Sequence, residues 1–87
     1  MQLANMCVRI EGVDARMVAE LREPLERALG GRGTFYSVQI DRIGRVGETL
    51  VSITGHRGRL PLIFGHGELE PGYLCSVVRR GVERFGL

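Results

Sequence analysis

The chain reads as one α+β domain over residues 1–87, a mostly antiparallel four-stranded sheet with two helices packed on one face, in the order β-α-β-β-β-α. Apolar residues alternate with a period of two in three short stretches, fill a fourth throughout, and recur at three- and four-residue steps in two longer ones. Glycine or proline stands at nearly every changeover between the two patterns.

Asn5 to Glu11 alternates, with Met6, Val8 and Ile10 on one side and Asn5, Cys7 and Arg9 on the other, the signature of a half-buried strand that Gly12 ends. Asp14 is a good N-cap for the helix that follows, in which Val18, Leu21, Leu25 and Leu29 form an apolar stripe opposite Arg16, Glu20, Arg22, Glu26 and Arg27. Pro24 cannot donate to Glu20 and disfavours helical angles at Glu23, so a kink or restart is expected there. Gly30 and Gly31 provide a left-handed stop.

From Thr34 the period returns to two: Tyr36, Val38 and Ile40 point one way, and Phe35, Ser37, Gln39 and Asp41 the other. Gly44 to Gly47 turns the chain into Glu48 to Thr54, where Val51 and Ile53 alternate with Leu50, Ser52 and Thr54. Gly55-His56-Arg57-Gly58 is the next turn, and Leu60 to Phe64 the last strand, with Pro61 marking an edge strand or a strand start. After the loop from Gly65 to Glu70, Pro71 suits the first position of a final helix, with Glu68 and Glu70 near its positive end. Its expected inward stripe is Leu74, Val77, Val78, Gly81 and Phe85, with Arg79, Arg80, Glu83 and Arg84 outside; Gly81 implies close packing, and Gly86 ends the helix.

Composition narrows the function. A chain of 87 residues has room for one core, and 44% hydrophobic with 25% charged residues is ordinary for a globular domain. No apolar run is long enough to span a bilayer and the start lacks a signal-peptide pattern, so the expectation is a cytoplasmic protein without a membrane partner. Cys7 and Cys75 are too few for a disulfide framework or a zinc site of their own and read as buried thiols. All 12 basic residues are arginine, which excludes Schiff-base and P-loop lysine chemistry. A net charge of +2 does not by itself imply a nucleic-acid partner.

The only histidines, His56 and His66, fall at opposite ends of the Leu60–Phe64 strand, too far apart to share one ion within a subunit. His66 with Glu68 and Glu70 is a polar cluster before a helix N-terminus, although a capping loop explains the same residues. Ser37 and Ser52 lie within strands rather than on an elbow turn, and no phosphate-loop pattern or other cofactor motif occurs. No catalytic residue, metal ligand or cofactor is therefore assigned. Arg42, Arg45, Arg57 and Arg59 in or beside the turns, with Arg79, Arg80 and Arg84 on the last helix, are the candidate nucleic-acid-binding residues, and Phe35 a candidate stacking platform.

Two segments have partial likenesses. The α-β-β-β-α order from the first helix onward is similar to that of double-stranded-RNA-binding domains. The last helix here begins Glu70-Pro71-Gly72-Tyr73, whereas that family has a lysine-rich phosphate-binding start. LIFGHGELEPGYLCSVVRRGVERF resembles the strand, His-Gly-x-Gly loop and helix of small MutS-related nuclease domains through His66 and Gly67. Leu69 replaces the second glycine and Arg9-Ile10-Glu11-Gly12 lacks that family's histidine, so no activity carries over.

Two helices on one face leave the other sheet face bearing Cys7, Arg9, Phe35, Ser37, Gln39, Leu50 and Ser52, a mix suited to an interface. The leading expectation is a non-enzymatic interaction module that forms a homodimer through this face or an edge strand. The alternative is an RNA- or DNA-binding module using the arginines above; a third reading is a small enzyme or metal protein around His66.

Overall fold

The computed structural model describes residues 8–43 and 47–87. Cys7 and Arg45, named above as candidate interface and nucleic-acid residues, lie outside the described residues, as do most of the first turn between strands and the start of the first strand. The elements are β1 (Val8–Glu11), α1 (Ala15–Leu29), β2 (Tyr36–Ile43), β3 (Glu48–Gly55), β4 (Gly58–Phe64) and α2 (Pro71–Phe85), in the expected order. The four strands form one sheet in the order β1-β2-β3-β4.

The sheet is mixed. β2 with β3 and β3 with β4 are antiparallel hairpins, but β1 pairs with β2 in parallel. The reason is α1, which carries the chain back along the sheet so that β2 starts at the same end as β1, the connection a parallel pair requires. α1 lies over β1, α2 lies over β4, and the two helices pack on each other. Because β1, β2 and β4 all run the same way, both helices start at one end of the sheet and finish at the other.

Register divides the side chains between two faces. Ile10, Val38, Ile53 and Leu60 form one cross-strand row and Ile40, Val51 and Leu62 the next, facing the helices. Leu21, Leu25 and Leu29 from α1 and Leu74, Val78 and Val82 from α2 close the same core. Tyr36, among the largest fully buried side chains, keeps its hydroxyl satisfied by donating to the Leu87 carbonyl at 2.8 Å.

Three local expectations change. α1 runs across Pro24 without a restart, the proline ring buried with the Leu21–Leu25–Leu29 stripe, whose burial outweighs the missing backbone bond. Gly30 is extended and only Gly31 is left-handed. Phe85, expected inward, is 62% exposed, while Cys75 and Val82 are buried instead. Left-handed Gly86 turns the chain so that Leu87, whose N–H donates to the Val82 carbonyl, packs against the core in its place.

Pro61 sits in the middle of β4, an edge strand. The two-residue turn closed by Gly55 and Gly58 sets the alternation of paired groups, and it places Pro61 opposite Ser52 where no bond to β3 is needed. Its missing N–H therefore falls on the outer edge, where it weakens the template for an added strand.

Gly12, with φ +95°, has no room for a side chain: a Cβ there would meet the Ile40 carbonyl oxygen at 2.1 Å. Gly31, at φ +77°, has nothing within 4 Å. Gly12→Ala should therefore lose about 2–4 kcal/mol in urea unfolding, backbone strain plus collision, and Gly31→Ala only about 1 kcal/mol from strain. Equal losses would contradict the close approach of Gly12 to β2.

Candidate functional site

The face of the sheet turned away from the helices carries three cross-strand rows. At one end stand Arg9, Ser37, Thr54 and Arg59, in the middle Glu11, Gln39, Ser52 and Pro61, and at the other end Asp41, Leu50 and Ile63. The alternation of buried and exposed positions along each strand that separates these rows from the core is the physical origin of the face. Arg9, Ser37, Gln39 and Leu50 thus lie on one surface, and exposed Phe35 immediately precedes β2 beside it.

The apolar part of this face is local. Ile63, 65% exposed, is directly opposite half-buried Leu50, and Pro61 is its neighbour on the same side of β4. Ser52 is buried on the same face, and Arg59 Nη2 reaches its Oγ at 3.4 Å. Arg9 pairs with Glu11 at 3.1 Å along the short first strand. Ile63 and Pro61 were the residues missed from the sequence, since Leu60 to Phe64 is apolar on both sides and its alternation is silent about which face each residue takes.

The arginines divide into two groups. Arg9, Arg16, Arg22, Arg27 and Arg32 each pair with a carboxylate, mostly at helical i,i+4 spacing. Glu23 holds the Arg27 guanidinium above its usual pKa, first through a hydrogen bond and then through its charge. Among the described residues, Arg42, Arg57, Arg59, Arg79, Arg80 and Arg84 have no carboxylate within 4.0 Å. They do not all lie on one surface. Arg42 ends β2 at the end where α1 begins, Arg57 is in the β3–β4 turn, and Arg59 is on the open face. Arg79 turns toward α1, with Nη2 3.5 Å from the Arg27 carbonyl oxygen, while Arg80 bonds the Ser76 hydroxyl at 3.1 Å.

The His66, Glu68 and Glu70 cluster is divided by its hydrogen bonds. Glu68 Oε1 accepts from the Gly65 N–H at 2.6 Å, and the two Glu70 oxygens accept from Gly72 and Tyr73 at 3.0 Å each, capping α2. His66 instead lies against Gly47, its Nδ1 2.9 Å from where a Gly47 Cβ would be. It lines a cleft of about 640 Å³ with Asp14, Met17, Asp41, Arg42 and Leu69. Here too the carboxylates are engaged: Asp14 caps α1 through the Met17 N–H at 2.9 Å, and Asp41 accepts from Gln39 Nε2 at 3.3 Å. The strand-to-helix passage Gly12-Val13-Asp14 is the sequence signal that could have drawn attention to this cleft. His56 is on the other side of β4, in the turn before it.

Because both Glu70 oxygens hold α2 in place, Glu70→Ala should lower the unfolding free energy by about 1 kcal/mol in thermal or urea melts. No loss would show that the carboxylate is not needed as a cap. No family model, no curated protein and no solved structure matches the chain.

Proposed function

We propose that the chain is a small non-enzymatic interaction module of the cytoplasm that forms a homodimer by packing its open sheet faces together. Among the described residues no helix is long and apolar enough to cross a membrane. The observation that carries the dimer reading is the Leu50–Ile63–Pro61 patch. Single exposed apolar residues are ordinary, but these three adjoin one another on a sheet face that no element among the described residues covers.

One further feature favours this mode over strand addition: Pro61 removes a donor from the outer edge of β4, which disfavours pairing there.

Size-exclusion chromatography with light scattering at tens of micromolar should give twice the chain mass. Ile63→Asp should give a monomer with an unchanged circular dichroism spectrum, because a carboxylate forced into an apolar contact loses hydration without gaining a partner. A strict monomer for the unsubstituted chain, or an unaltered dimer for Ile63→Asp, would overturn the reading.

A further inference from the structure

The outer flank of α2 is a second surface, separate from the open sheet face, and its chemistry is different. Tyr73, Val77, Arg80 and Arg84 follow one another at i, i+4, i+7 and i+11 and form a single ridge. The opposite flank of α2 faces α1, where Arg79 reaches the Arg27 carbonyl, and Gly81 sits over Leu60 and Leu62 of β4. The ridge therefore overhangs β4. From Tyr73 to Arg84 it extends about 16 Å at 1.5 Å per residue.

Exposed aromatic rings mark both ends. Tyr73, 47% exposed, leans edge-on against Phe64, and Phe85, 62% exposed, has the Arg84 guanidinium 5.8 Å from its ring centroid. Gly58, next to Arg57 in the β3–β4 turn, comes close to the end of α2: Leu87, two residues beyond the helix, is 3.9 Å from where a Gly58 Cβ would be. Among the described residues no Asp or Glu carboxylate lies within 4.0 Å of these arginines. The chain has no Asp or Glu from Thr49 to Gly67, and the one acidic residue within α2, Glu83, pairs with Arg32 at 3.4 Å.

We infer that this flank binds single-stranded nucleic acid, with Arg57, Arg80 and Arg84 on phosphates and the exposed rings of Phe85 and Tyr73 as stacking surfaces for bases. Phosphate binding needs cations that are not already neutralised, which these three are among the described residues. Bases exposed in a single strand, unlike those in a duplex, can use an aromatic face, and a guanidinium already lying over Phe85 prolongs that face. Arginine suits both roles, since its planar group contacts phosphate through two donors and also stacks.

The test is fluorescence anisotropy with labelled oligouridine and oligothymidine of about 12 nucleotides and a duplex of equal length. Saturable binding to the single strands is expected. With three phosphate contacts it should weaken roughly 20-fold between about 50 and 200 mM salt. The double variant Arg80→Glu/Arg84→Glu should abolish it, and Phe85→Ala should weaken it about tenfold; these side chains are exposed, and circular dichroism checks the fold. A preference between the two oligonucleotides reports on the 2′-hydroxyl or the thymine methyl, and binding to either supports the inference. Absence of salt-sensitive binding, a duplex bound as tightly as a single strand, or binding indifferent to the charge reversal would overturn it. Ile63→Asp, which tests the dimer, leaves this flank unaltered, so the two ideas fail separately.

Discussion

Burial of Tyr36, Val38, Val51 and Ile53 beneath two helices that lie side by side is the interaction on which the rest of the molecule depends. Among the described residues the two helices form one such layer, and no helix lies on the other face. Each fully buried aliphatic side chain contributes roughly 1.5–3 kcal/mol, so the helices stay on the face where the β-branched rows are. What is left is a sheet with one side uncovered and a helix layer whose outer flanks face water. Both proposed surfaces are consequences of that asymmetry.

Chain direction then distributes charge. The parallel pairing of β1 with β2 makes α1 start where β1 ends, and α2 starts where β4 ends, at the same end of the sheet. Asp14 and Glu70 cap the two helix starts and complement the positive ends of their dipoles. Arg27 and Arg84 occupy the last turns, where a cation is favoured. The carboxylates near His66 are therefore committed to holding α2 and its loop, and the arginines of the last helix remain uncommitted because the acidic residues of α1 are used by their own helical neighbours.

Much of this was legible in the sequence because it rests on local rules. Period-two alternation located Tyr36, Val38, Ile40, Val51 and Ile53 on the buried face, and Asp14, Pro71 and Gly86 marked helix ends through capping chemistry. What local rules left open was non-local. The sheet is mostly antiparallel as expected, but which pair runs parallel depends on where α1 returns the chain, and Phe85 lost its inward place to Leu87 through a turn at Gly86 whose outcome is tertiary. Pro24 broke a local rule that burial overrode. On the open face, Arg9, Ser37, Gln39 and Leu50 could be read from alternation, whereas Ile63 and Pro61 could not, since β4 is apolar on both faces. Which arginines are neutralised was also hidden, because Arg32 finds Glu83 across 51 residues of sequence.

The central claim is that the uncovered sheet face is where a second copy sits. Isotope-filtered nuclear Overhauser spectroscopy on an equal mixture of labelled and unlabelled chains tests it directly. The account predicts interchain contacts from the Ile63 and Leu50 methyl groups to the other chain's open face, and none from the buried methyls of Val38 or Ile53. Interchain contacts confined to helix side chains, or none at concentrations where the chain is dimeric, would contradict it.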